Sequence, residues 1–303
     1  MKKLSMISLA LVLAMHGAAS ATPVEEKNVL SGKTKLDPTK GYIFISGQSR
    51  QNGIFLRVPD YQTKAEYEAD RQKAFAKAVK RYEGEMRSWK AMLPDGMSPN
   101  DPKAPERPEE PRLETISPGP IELRDMESFG PQFVYAKGAQ ISYMNEVKPG
   151  TYVWYGPMYY LPGAAATGPC YCMGTVRFEV KPGMITNLGT SLANAPQWEE
   201  DLDVARSKMR QLNEQRKAAG KEPLKTASSG PVDYSIPASL GNWQSVQAEL
   251  HASPKMNNYF GGTVSRVAPI PGVLAYHRDI IVDVRTGQEI ESPTLVTRAK
   301  IKK

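Results

Sequence analysis

Proline and glycine recur so often in this chain that most of it can form only short segments. There are 25 prolines and 24 glycines among 303 residues. Short segments bounded by turn residues favour strands over helices, and several here have strand composition. Tyr42-Ile43-Phe44-Ile45, Ile54-Phe55-Leu56 and Tyr152-Val153-Trp154-Tyr155 are β-branched or aromatic. In Thr175–Val180, Arg177 and Glu179 alternate with Val176, Phe178 and Val180, the pattern of a strand with one wet face. Further strands are expected at 121–124, 132–135, 140–143, 262–267 and 279–284. Asn52-Gly53, between the first two strands, reads as a hairpin turn because Asn-Gly accepts positive φ.

One segment breaks this rhythm. From Tyr61 to Leu93 there is no proline, and Phe75, Val79, Tyr82, Met86, Trp89 and Leu93 recur in steps of four and three. That spacing predicts one apolar stripe on a helix over 61–93. Pro94 ends it, and residues 94–120 then carry eight prolines among charged residues. They are expected to form a semi-extended loop with no core of its own. Trp198, Leu202, Ala205, Met209 and Leu212 repeat the stripe and predict a second helix over 197–219. The two narrow seams suit pairing with each other, burying Trp89 and Trp198, or a dimer formed through them. A short helix is expected from Ser239 to His251.

The fold class is therefore α+β: an antiparallel β-sandwich with two long amphipathic helices inserted or appended. The sandwich domain spans 41–190, with a helical insertion at 61–93 and the Pro-rich loop at 94–120. Residues 191–303 supply a helix and a C-terminal strand extension. Residues 22–40 lack periodicity and read as a flexible N-terminal arm.

Residues 1–21 have the form of a secretory signal peptide. Lys2 and Lys3 precede the apolar run Leu9–Met15, and Ala19-Ser20-Ala21 is an A-x-A cleavage site. Cleavage between Ala21 and Thr22 would place the chain in the periplasm or outside the cell. Without the leader's two lysines the net charge of +7 falls to about +5, a mild excess suited to anionic envelope surfaces. A basic stripe interleaved with aromatics, as in nucleic-acid binders, is not found. No second apolar run approaches spanning length, so no transmembrane segment is expected after cleavage.

Glu-Val-Lys-Pro-Gly occurs twice, at 146–150 and 179–183. Each copy ends a strand-like run, and Pro-Gly suits the centre of a type II turn. Val147-Lys148-Pro149-Gly150-Thr151-Tyr152, followed by Phe178–Gly183 and Ile185–Gly189, resembles a group of uncharacterised secreted or lipid-anchored proteobacterial β-sandwich proteins with a Pro-Gly-Thr-Tyr hairpin. The resemblance covers about residues 41–190. It implies a sandwich fold and an envelope address, and no catalytic residues. This chain lacks a lipid-anchor cysteine and carries the helix as an insertion.

The only cysteines, Cys170 and Cys172, lie in a loop entering a strand. In an oxidising compartment they form a disulfide, a redox pair, or, with nearby methionines, a soft site for copper. Among the histidines, only His251 and His277 lie outside the leader, and they have no ligand spacing. Nucleophile elbows, zincin motifs, P-loops and dinucleotide fingerprints are all missing. The carboxylate clusters Glu109-Glu110 and Glu199-Glu200-Asp201 read as solvated, and a hydrolase would have to assemble its site from scattered carboxylates. The aromatic group Tyr152, Trp154, Tyr155, Tyr159 and Tyr160 is the candidate binding surface, since such rings can stack on sugars or peptides. The reading is a non-enzymatic protein that binds a small ligand or an envelope component.

Overall fold

The computed structural model describes residues 22–159, 166–192, 211, 214–215, 217–220, 232–270, 272–277 and 279–292. The expected leader, Tyr160, Trp198 and nearly all of the expected second helix lie outside them. The described chain is an α+β mixture of mostly antiparallel sheets with one long helix.

In chain order the strands begin with β1 (Thr22–Pro23), β2 (Gly41–Gly47), β3 (Gly53–Arg57) and β4 (Met126–Phe129). β5 (Ala136–Lys137), β6 (Ile141–Val147), β7 (Gly150–Gly156) and β8 (Pro169–Cys170) follow. β9 (Thr175–Val180), β10 (Ile185–Gly189), β11 (Ser245–Gln247) and β12 (His251–Ser253) come next. The last are β13 (Thr263–Val264), β14 (Leu274–His277), β15 (Ile280–Asp283) and β16 (Gln288–Ile290). Helix α1 spans Glu26–Leu30 and α2 spans Tyr61–Ala91.

One sheet has the order β1-β6-β2-β10-β11, with β5 also on β6; the other has β12-β9-β7-β3-β4. A single buried cluster takes Ile43, Ile45 and Leu188 from the first sheet and Phe55, Trp154 and Phe178 from the second. The alternate residues Tyr42, Phe44, Met144 and Ile185 fill a second cluster on the opposite face of the first sheet. Val24, Tyr135 and Leu240 cover that face. The expected flexible arm is therefore corrected in part: Thr22 and Pro23 pair with Glu146 and Asn145, and Val24 is buried.

Both Glu-Val-Lys-Pro-Gly copies cross between sheets, one from β6 to β7 and the other from β9 to β10. Both corners pack against Gly41, where a Cβ would come 2.3 Å from Val180 Cγ1 and 3.7 Å from Pro149 Cα. Gly183, at φ 72°, has the left-handed angle a type II turn needs, whereas Gly150 sits at φ 138°. The second corner delivers β10 beside the start of β2, so those strands run parallel, as do β10 and β11. The first sheet is mixed, a departure from the expected all-antiparallel pattern.

Four other expectations change. The Asn52-Gly53 hairpin is instead a crossover, because β2 and β3 belong to different sheets. Gly53 is small because a Cβ there would lie 2.0 Å from Trp154 Cη2 and 2.9 Å from Phe129 Cε1. Residues 121–124 form a helical turn and 132–135 are irregular, with Phe133 at φ 53°. The expected helix at 239–251 is a short turn followed by β11 and β12. Residues beyond 191 are thus no mere extension: β11 pairs with β10 and β12 with β9, one edge strand for each sheet.

Residues 59–124 form a second compact unit, inserted between the paired strands β3 and β4. Asp60 caps α2, its carboxylate accepting from Thr63 N at 2.8 Å. The Pro-rich segment is more than a loop, for it runs back along the helix. Trp89 Nε1 donates to Pro105 O (2.8 Å), Arg71 to Leu113 O (2.8 Å) and Ile116 O (3.1 Å), and Tyr67 Oη to Gly119 O (2.9 Å). Between Trp89 and Tyr67 the helix advances about 33 Å. Covering that length from Pro105 to Gly119 takes about 2.4 Å per residue, between the helical rise of about 1.5 Å and the polyproline rise of about 3.1 Å, as expected for an extended segment interrupted by the helical turn Leu113–Thr115. Trp89 is buried within this unit and donates to the extended segment, while the expected pairing with a second striped helix lies outside the described residues.

These contacts predict opposite outcomes for two glycines. Gly53→Ala should cost about 1–3 kcal/mol by forcing the Trp154 ring aside. At Gly84, in mid-helix, a Cβ would meet nothing within 4 Å. Gly84→Ala should therefore stabilise α2 by about 0.5–1 kcal/mol. Chemical unfolding followed by Trp fluorescence and far-ultraviolet dichroism checks both.

Candidate functional site

The chain leaves β3 at Arg57 and re-enters β4 after Asp125, and a buried ionic cluster closes that point. Arg57 N donates to Asp125 O at 3.1 Å. The guanidinium lies 3.2 Å from Asp125 Oδ2, and its Nε donates to Pro149 O at 2.8 Å. Lys148 Nζ holds Asp125 Oδ1 at 2.8 Å. The side chains of Arg57 and Asp125 are 9% and 4% exposed. A Cβ at Gly150 would come 2.8 Å from Arg57 Nε, so glycine there lets the guanidinium lie across the corner. Buried Glu127 follows on the same strand, and Tyr152 Oη donates to Lys148 O at 2.7 Å. Burial, helped by the charge of Glu127, pushes the Tyr152 hydroxyl far above its ordinary pKa.

With both Asp125 oxygens engaged by cations, this cluster is built to hold two chain ends together. Removing one member takes the closest counter-charge away from a buried ion and disrupts the cluster around it. Arg57→Leu or Asp125→Leu alone should cost about 3–5 kcal/mol, and the double variant much less than their sum. Urea unfolding of the three variants checks this.

The expected aromatic surface is corrected, because three of its members are core residues. Tyr152, Trp154 and Tyr155 are at most 2% exposed. Tyr152 stacks on Phe178, and Trp154 packs on Phe55 and Phe129. Tyr155 Oη donates to Asn257 O (3.2 Å), accepts from Tyr259 N (3.0 Å), and its ring meets Tyr259 and Phe260. Strand alternation alone could not show this, since β7 is a central strand covered on both faces. Tyr159 is half-buried in an isolated bridge to Thr167, and Tyr160 lies outside the described residues.

Cys170 and Cys172 are joined in a disulfide and are 0% and 1% exposed. In that state neither offers a thiolate to copper. Cys172 Sγ lies 3.7 Å from Tyr155 Oη and 3.6 Å from Asn257 O, beneath the segment 255–262. No group of three or more His, Cys, Asp or Glu suited to a metal occurs among the described residues. His251 lies in β12, opposite Arg177 and 3.7 Å from Glu249.

The feature that sequence reading missed is the outer face of α2. Lys73, Lys77, Lys80 and Arg87 recur at steps of four, three and seven and are all exposed. At 100° per residue they fall within an arc of about 80°, roughly opposite Phe75, Arg71 and Trp89. Only Lys73 has an acidic partner among the described residues, Asp70 at 3.5 Å. Small residues, Ala76 and Gly84, lie between them, and Ser88 follows Arg87. The helix holds eight basic and five acidic residues, the segment 94–120 three and six. The unit is thus positive on its helical side and negative on the extended segment that covers the other side.

No known protein family, curated protein or solved structure matches this chain.

Asp70 marks the acidic edge of the basic face. Arg124 donates to it at 2.8 Å, and that hydrogen bond above all holds the carboxyl below the usual aspartate range. A lowered carboxyl pKa stabilises the folded unit above the ordinary aspartate pKa, and the effect is lost as pH falls through the lowered value. Arg124→Gln should return the Asp70 titration upward, as read from its carboxyl carbon shift by NMR.

Proposed function

We propose that this chain is an exported, non-enzymatic binding protein in which a β-sandwich serves as scaffold and the helix–polyproline hairpin at 59–124 as contact element. The observation that carries this reading is the division of labour around α2. Its apolar stripe is covered by the chain's own extended segment, while the opposite face exposes Lys77, Lys80 and Arg87 with no ion pair among the described residues. That face contributes nothing to the core of its unit, so its composition is free to serve a partner. The leader-like residues 1–21 and the resemblance over 41–190 support an envelope address.

Arg57 and Asp125 face each other where the β3–β4 ladder ends, a register that a two-residue turn can close. Replacing residues 58–124 by Asn-Gly should therefore leave the rest folded. On this reading, the full chain expressed in a bacterium fractionates partly with the envelope, beginning at Thr22, and the shortened chain is released with the soluble contents. Equal distribution of two folded proteins would sink the proposal.

A further inference from the structure

We infer that the outer face of α2 docks on the phosphate headgroups of an anionic phospholipid bilayer. The inference rests on the reading of the hairpin as contact element and names its partner. Lys73, Lys77, Lys80 and Arg87 span about 21 Å of a straight helix. They form one line on a convex surface, with Ala76 and Gly84 between them and Ser88 just beyond Arg87. Such a line meets a flat array of phosphates along its whole length. It has no aromatic ring on which a nucleic-acid base could stack, and no large apolar side chain to anchor a folded protein partner.

The charge asymmetry of the unit adds orientation. The helix carries the excess of basic residues and the extended segment the excess of acidic ones. An anionic surface therefore attracts the first side and repels the second, so the unit lies helix-down. Lys73 shares its charge with Asp70, while Lys77, Lys80 and Arg87 make no ion pair among the described residues. Because the face has no large apolar side chain, binding is electrostatic and peripheral, and salt reverses it. A basic residue at such a surface multiplies partitioning by about fivefold.

The test is sedimentation of the full chain with vesicles of one part phosphatidylglycerol to three parts phosphatidylcholine, against pure phosphatidylcholine. Binding to the anionic vesicles alone, lost at high salt, is expected. The variant K73Q/K77Q/K80Q/R87Q should bind at least about a hundredfold more weakly. A matched variant, K33Q/K35Q/K137Q/K181Q, removes the same charge from exposed lysines elsewhere and should keep most of the binding. The charge-preserving K73R/K77R/K80R should bind like the parent, which separates loss of charge from loss of fold.

Three results would overturn the inference: no binding by the parent, equal binding to both vesicles, or equal loss in the matched variant. If vesicle binding fails while deletion of residues 58–124 still abolishes envelope fractionation, the hairpin remains the contact element and its partner is not lipid. If both fail, the contact reading falls as well.

Discussion

The ion pair between Arg57 and Asp125 solves the problem that the whole topology poses. β3 and β4 are neighbours in one sheet, yet the residues that close their ladder are 68 positions apart. Stretching a tight turn to that length costs only about 3 kcal/mol in loop-closure entropy, since each doubling adds about 0.6 kcal/mol. The greater hazard is register, because a slip by one residue would turn Phe55 and Phe129 away from the core. A buried guanidinium and carboxylate held against each other penalise a slipped pairing. Net stability from such a pair is small, but the penalty for mispairing it is large. Lys148 and the Pro149 carbonyl extend the same constraint to the corner between sheets.

What the sequence reveals here depends on how local the cause is. The alternation in Thr175–Val180 matches β9 residue for residue, because one face of that strand is wet and the pattern shows it. The stripe from Phe75 to Trp89 lies on α2 for the same reason. The binding-surface reading of Tyr152, Trp154 and Tyr155 fails because a central strand buried on both faces has no pattern that separates core from surface. Gly53 misleads more subtly. Asn-Gly has a ready local explanation as a turn, but the residue is glycine because the Trp154 ring occupies the space a Cβ would take. Helical spacing at 239–251 yields to edge strands, since β9 and β10 offer unpaired hydrogen-bonding groups that a local helix would leave open.

The Pro-rich segment shows a different limit. Judged by composition it cannot build a core, and in isolation that is true. Apart from single turns such as Leu113–Thr115, the extended stretches of the segment make few hydrogen bonds to themselves, so carbonyls such as those of Pro105 and Gly119 remain available as acceptors. α2 supplies the donors: Trp89, Arg71 and Tyr67 each reach across to a backbone oxygen while their apolar parts lie beneath the segment. Sequence patterns seek like pairing with like, and they have no template for a helix covered by a polyproline strand.

That choice of cover has a consequence for the other side of the helix. Covering α2 with a second helix would require that helix to bury its own stripe, and the seam would then belong to both. A proline-rich strand is stiff before it folds, so little further chain entropy is lost in laying it down. It is also narrow, so it occupies one side of the cylinder and leaves the opposite arc in water. The exposed arc is released from any packing requirement: a Cβ on Gly84 would meet nothing within 4 Å, although alanine would make a better helix. Positions free of packing constraints can accumulate charge of one sign without loss of stability. Lys73, Lys77, Lys80 and Arg87 occupy such positions, and the fold that hides Trp89 on one side is what makes a basic face on the other physically inexpensive.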